Sequence, residues 1–234
     1  MINMEKKIIG LLGGTTYPST ILYYNLLNQM YNSKMGGFHS CPMILKNIDY
    51  HEIKSKYNTP NGWNEIPKLL KKEIQNLISL NPSCIIICNN TLHKAYDIIK
   101  KELKSHIPVF HILELTADYI KQNNLHHILL LGTKFTMQDD FFKGYLRSQG
   151  IKVTVPNEEE MDKIQSIQSA LAKGELEDEY KTYFKDLSSK YNNCKGIVLG
   201  CTELPLVFNS IEIDIPKINT IELQCKKAID FILD

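Results

Sequence analysis

At 234 residues, with 43% hydrophobic and 23% charged residues and a formal net charge of +1, the chain has the profile of one large or two small globular domains. These figures exclude a disordered chain, a collagen-like repeat and a pure coiled coil. Near-neutral charge also argues against a nucleic-acid partner, which needs basic residues clustered on one face. Of 27 basic residues only Arg147 is arginine, so a bound carboxylate must rely on lysine, hydroxyl and amide side chains, or backbone N–H groups.

In chain order, short β-type runs alternate with longer stretches of helical period. A strand is predicted at 8–12, followed by a Gly/Thr/Pro turn and a helix over 19–31. A second strand falls at 43–48. The stretch 63–80 carries Ile66, Leu69, Leu70, Ile74, Leu77 and Ile78 on a helical stripe that ends at Asn81-Pro82. A buried-type strand at 84–88 and a helix over 92–103 follow. The pattern restarts with a brief strand at 109–111, a helix at 113–121, a strand at 127–131, a helix at 137–149 and a strand at 152–155. Helices at 158–173 and 176–191 flank Gly174, and strands at 196–199 and 215–218 precede a closing helix over 221–233. This alternation predicts an α/β protein with mainly parallel sheets covered by helices.

Met1 to Lys7 includes Glu5, and the apolar run after it breaks at Gly13-Gly14, so no secretory signal is expected. No apolar stretch approaches the roughly 20 residues that span a bilayer. The six cysteines (Cys41, Cys84, Cys88, Cys194, Cys201, Cys225) do not form a disulfide-dense pattern, and three sit in or beside apolar runs. Reduced thiols and a cytoplasmic location are the expectation.

A weak internal repeat is visible. Gly-Leu-Leu-Gly-Gly-Thr-Thr at 10–16 and Ile-Ile-Cys-Asn-Asn-Thr at 86–91 are echoed, at a similar separation, by Leu-Leu-Leu-Gly-Thr-Lys-Phe-Thr at 129–136 and Val-Leu-Gly-Cys-Thr-Glu at 198–203. Two related α/β lobes would place these four strand-to-helix corners at a cleft, since ligands of such folds bind at the carboxyl ends of strands.

Cys201 is the most informative corner residue. It follows an apolar strand, where exposed backbone N–H groups favour a thiolate over a thiol. A small buried hydrophobe is the alternative reading. Asn90 and Thr91 offer amide and hydroxyl groups where a helix begins, as an anion site or simply as a cap. His93 at that helix start could assist proton transfer, but a lone histidine there reads more readily as a cap or surface residue. Cys84, Cys88 and His93 do not make a metal site, because strand alternation does not aim three such ligands at one point, and no metal is expected. The glycine corner at 13–16 lacks the G-x-G-x-x-G fingerprint and a P-loop lysine. It offers N–H groups and two hydroxyls suited to a carboxylate, as does Gly132-Thr133-Lys134.

Five motifs carry a resemblance: Gly-Leu-Leu-Gly-Gly-Thr-Thr-Tyr-Pro-Ser-Thr at 10–20, Ile-Asp-Tyr-His-Glu-Ile at 48–53, Asn-Thr-Leu-His-Lys at 90–94, Gly-Thr-Lys-Phe-Thr-Met at 132–137 and Gly-Cys-Thr-Glu-Leu at 200–204. Together they resemble the aspartate/glutamate racemase family, the cofactor-independent branch that includes glutamate and hydantoin racemases. The resemblance implies two pseudo-symmetric α/β lobes with the active site in the cleft between them, here 1–108 plus 212–234 and 109–211, and a homodimer. It implies a small amino-acid substrate, aspartate or glutamate, and two thiols that act on opposite faces of Cα without pyridoxal phosphate or another cofactor.

By the same resemblance Cys201 is the second thiol. Thr15, Asn90, Thr91, Thr133 and Thr202 hold the α-carboxylate and amino group, and Lys163 pairs with the substrate's side-chain carboxylate. The first thiol position is occupied by Asn89. Some members of the family carry threonine there and remain racemases, but asparagine does not titrate near neutral pH. Cys88, one residue earlier, should face the other side of an extended strand and belong to the core. A one-thiol relative, decarboxylase-type or active on a single enantiomer, and a binding protein without turnover are the competing readings.

Overall fold

The computed structural model describes residues 6–57 and 59–234. The chain divides into two compact units, one running to His111 and taking in Gln224–Asp234, the other formed by Ile112–Leu223.

The first unit contains β1 (Ile9–Gly13), α1 (Tyr17–Met35), β2 (Met43–Asn47), α2 (His51–Lys54), α3 (Gly62–Ile78), β3 (Cys84–Ile87) and α4 (Leu92–Ile99). Its strands form a parallel sheet of order β2-β1-β3, with Ile9 opposite Met43 on one side and Cys84 on the other. Every residue of β1 and β3 is buried. Such strands are enclosed on both faces, which is why they read as unbroken apolar runs. Ile66, Leu70, Ile74 and Leu77 recur at helical spacing on α3 and pack with Leu12, Ile85 and Ile87. Each of these fully buried side chains contributes about 2 kcal/mol of hydrophobic stabilisation. The brief strand expected at 109–111 is a single bridge between Val109 and Ile85. Pro108 lends only its carbonyl to that edge, and the next helix begins at Ile112.

The second unit contains α5 (Ile112–Gln122), β4 (His127–Leu131), α6 (Lys134–Gln138), α7 (Asp140–Ser148), β5 (Lys152–Thr154), α8 (Glu158–Leu171), α9 (Asp178–Lys190), β6 (Gly196–Leu199), α10 (Leu204–Phe208) and β7 (Lys217–Asn219). Its parallel sheet has the order β5-β4-β6-β7. Side chains alternate between its faces. Leu129, Leu131, Ile197 and Leu199 join a core with α8 and α9, whereas Ile128, Leu130 and Val198 join one with α5 and α7. The closing helix α11 (Thr220–Leu233) belongs to the first unit from Gln224 onward. The fold is therefore α/β with two parallel sheets.

The helix expected over 137–149 is two helices. Asp139 sits between them with an extended backbone, and its carboxylate caps α7 by accepting from Phe141 N at 2.8 Å. A capping aspartate competes with helix continuation. Thr133 caps α6 in the same way, so that helix starts earlier than its apolar period suggests. The short helices α2 and α10 lie below the length at which periodicity is readable. No helix among the described residues is long and apolar enough to cross a membrane.

Gly14 fixes the turn after β1. Its φ is +83°, and an added Cβ would lie 2.2 Å from Ile48 O and 2.6 Å from Ile48 N. Gly14→Ala therefore forces both a left-handed backbone and a clash with the chain after β2. It is expected to lower unfolding stability by about 2–3 kcal/mol, measured by urea denaturation.

Candidate active site

In the second unit the ladder runs one residue past β6, with Gly200 N–H donating to Leu131 O at 2.6 Å. Cys201 follows. It shares the face of Ile197 and Leu199, lies in their apolar cluster and is only 5% exposed. Its thiol donates to Glu203 Oε2 at 2.7 Å, and the Thr202 hydroxyl donates to the same oxygen at 3.4 Å. Thr202 and Glu203 are buried as well. The partner that the structure places beside the sulfur is a carboxylate, supplied by a residue that the sequence reading passed over. A glutamate flanked by Thr202 and the apolar run of α10 was the available signal, because a carboxylate is buried only where partners are supplied for it.

The neighbouring strand end, after β4, carries Thr133. Its hydroxyl accepts from Thr136 N at 3.1 Å and lies 2.9 Å from the Thr136 hydroxyl. Lys134 beside it bridges to Glu158 at 3.0 Å and Asp162 at 2.5 Å on α8. Thr133, Cys201 and Thr202 thus emerge from adjacent parallel strands. Lys163 stands on an exposed part of α8, with its ammonium 3.6 Å from Glu179 of α9.

In the first unit, Thr15 is buried after β1 and donates its hydroxyl proton to Cys88 O at 2.7 Å. Cys88 is fully buried, and burial pushes its thiol well above the ordinary range, so it belongs to the core and is no base. Asn90 and Thr91 are buried at the start of α4, where Thr91 makes no side-chain cap. Asn89 caps instead, its Oδ1 accepting from Leu92 N at 2.9 Å. That bond orients the amide and leaves Nδ2 directed at the Tyr50 hydroxyl, 3.5 Å away.

His93 is neither a cap nor a surface residue. It is completely buried, with Nδ1 2.9 Å from Asn89 O and Nε2 3.3 Å from Gln224 Nε2. The carbonyl can only accept, which assigns the proton to Nδ1. Gln224 also donates to Phe110 O at 2.9 Å and accepts from Tyr23 Oη at 2.6 Å. Burial, with the His111 ring beside it, pushes the His93 pKa down to about 3. In the unfolded chain this histidine takes up a proton near pH 6.5, whereas in the fold it does so only near 3. Stability is therefore lost as pH falls below about 6.5, this group adding up to about 1.4 kcal/mol per pH unit. His93→Gln removes that contribution, so the stability advantage of the wild type should shrink between about pH 6.5 and 4.5 in urea titrations.

Comparison with known proteins places the chain. A family model described as Asp/Glu/hydantoin racemase matches residues 12–228. A glutamate racemase from Clostridium botulinum is 27% identical over 188 residues, spanning 75% of this chain and 70% of that one. A Yersinia pestis protein, described from its crystal structure as a candidate Asp/Glu racemase, superposes with a TM-score of 0.85 at 32% identity over 97% of this chain and 100% of its own. An aspartate racemase homologue from Pyrococcus horikoshii OT3 gives 0.83 at 30% identity over 98% and 100%. The match to the family model runs through both units and both sets of strand ends, and the chain belongs to the Asp/Glu/hydantoin racemase family.

Proposed function

We propose that the protein is an isomerase that racemises aspartate, glutamate or both without pyridoxal phosphate, with Cys201 as the base on one face of the substrate Cα. The observation that carries this reading is the Cys201 thiol donating to the buried Glu203 carboxylate at 2.7 Å. An amino-acid α-proton is very weakly acidic, and a thiol is mostly protonated at neutral pH, so the sulfur must first lose its proton. Glu203 receives it. The thiolate then takes the α-proton, the electron pair spreads into the α-carboxylate, and a proton arrives on the opposite face.

The binding roles follow the family resemblance. Thr15 already donates its proton to Cys88 O, so toward a ligand it offers lone pairs, which suits the substrate ammonium. Asn90, Thr91, Thr133 and Thr202 hold the carboxylate and amino group. Lys163 exchanges Glu179 for the side-chain carboxylate of the substrate. With the thiol of the first position replaced by Asn89, the two directions should differ in rate. A homodimer is part of the same proposal, supported by the exposed stripe Tyr17, Ile21 and Tyr24 on α1.

Deuterium uptake at Cα from each enantiomer of aspartate and glutamate in D₂O, read by NMR, tests the reading. Exchange with inversion is the expected result. Exchange from one enantiomer without inversion would favour the one-thiol alternative, and binding without exchange the non-catalytic one. Cys201→Ala should abolish exchange, and Glu203→Gln should slow it by about 100-fold, the scale of a positioned proton acceptor. Normal turnover in Cys201→Ala would sink the role given to that sulfur.

A further inference from the structure

The position that family resemblance gives to a first thiol holds an amide, and an amide cannot trade a proton with carbon at neutral pH. The surroundings of Asn89 within the first unit contain a group that can. The amide is oriented by the Leu92 N–H on Oδ1, and its Nδ2 donates to the hydroxyl of Tyr50, three residues past the end of β2. The Tyr57 hydroxyl lies 2.5 Å from the same oxygen.

Tyr57 is itself fixed. Its ring stacks on Trp63 with centroids 5.5 Å apart and an interplanar angle of 14°, and Lys54 Nζ sits 5.4 Å from the ring centroid. Either hydroxyl of this neutral pair can donate, but burial pushes the Tyr57 hydroxyl upward, so once Tyr50 is a phenolate Tyr57 keeps its proton and donates to it. Two donors, an amide N–H and a phenol O–H, therefore converge on the Tyr50 oxygen when it is an anion. Convergent donors stabilise an oxyanion at the place where it forms.

We propose that Tyr50 is the second acid–base group of the reaction, taking the part that the family resemblance gives to a thiol at position 89, with Asn89 and Tyr57 as positioning residues for its oxygen. The proposal rests on the racemase reading and supplies the proton carrier that Asn89 cannot be. In one direction the Cys201 thiolate breaks the Cα–H bond, and the electron pair is held in the carboxylate-stabilised carbanion. Tyr50 O–H then forms the new Cα–H bond and becomes a phenolate held by Asn89 and Tyr57. In the other direction the phenolate takes the α-proton and the Cys201 thiol returns one. One C–H bond breaks, one forms and no electron is gained or lost, and the reset passes a proton from the thiol to solvent and one from solvent to the phenolate.

The test uses the full chain in D₂O with both enantiomers of aspartate and of glutamate. Tyr50→Phe should reduce inversion, and exchange from the enantiomer that Tyr50 serves, by about 100-fold or more, while exchange from the enantiomer served by Cys201 stays within about threefold. That one-sided loss is a signature a merely structural role would not produce. Equal effects on both enantiomers, or none, would overturn the assignment. Tyr57→Phe keeps Tyr50 in place but removes one donor, so it reads the same assignment if Tyr50→Phe loses its circular-dichroism signal. A smaller loss confined to the same enantiomer supports the proposal, and an even effect or none overturns it. Wild-type protein that exchanges neither enantiomer overturns the racemase reading and this inference together, whereas a racemising wild type with an unaffected Tyr50→Phe overturns the inference alone.

Discussion

A parallel sheet sends the carboxyl ends of all its strands to one edge, and in each unit that edge is where the chemistry-bearing residues collect. In the first unit Thr15 follows β1, Tyr50 follows β2 and Asn89 follows β3. In the second, Thr133 follows β4, Cys201 follows β6 and Thr220 follows β7. The edge is also held shut by its own polar groups. Thr15 ties the end of β1 to Cys88 O, and Thr220 ties the end of β7 to Leu199 O at 2.9 Å. Buried strand ends cannot leave backbone carbonyls unpaired without a penalty of about 1–3 kcal/mol each, so hydroxyl residues at these positions serve the fold whatever else they bind.

The two proposed proton carriers are prepared in opposite ways. Beside Cys201 stands an acceptor, the Glu203 carboxylate, to which the thiol donates, and in the proposed mechanism it takes the proton from sulfur so that the pair shares a single negative charge. Beside Tyr50 stand two donors, Asn89 and Tyr57, which favour the anion by hydrogen-bonding to it. The difference follows from the intrinsic acidities. A thiol needs only a nearby base, whereas a phenol, ordinarily near 10, needs its anion stabilised. An asparagine at position 89 then has a physical rationale in this chain. It caps α4 with its oxygen and has an N–H to spare for Tyr50, two tasks that a thiol could not combine.

Much of the fold was legible because buried parallel strands are short apolar runs bounded by turn residues. The strands at 127–131 and 196–199 were read to the residue, and that at 43–48 to within one. The break at Asp139 was not, since a cap is a local side-chain bond that hydrophobic period does not register. Cys201 and the hydroxyl corners were visible as motifs. Glu203 was passed over because its significance lies in the direction of one side chain, and the Tyr50–Asn89 contact joins residues 39 apart, beyond any local pattern. The role of His93 was hidden for the same reason, its partner Gln224 lying 131 residues further along the chain.

That last distance shows how stability and geometry are joined in the first unit. Gln224 comes from α11, Tyr23 from α1 and His93 from α4, and their hydrogen bonds end on the carbonyl of Asn89. A buried polar chain is tolerable only if its members satisfy one another, and once satisfied it has a single arrangement. Both amide atoms of Gln224 are used, which settles its orientation, and this settles the tautomer of His93. A charged His93 would present a second N–H to Gln224 Nε2, itself a donor, and would break the sequence of bonds. Burial and the neighbouring His111 ring lower the pKa of His93, while the network fixes its neutral tautomer and the peptide of Asn89. The closing helix thus reaches the backbone at position 89 through Gln224 and His93.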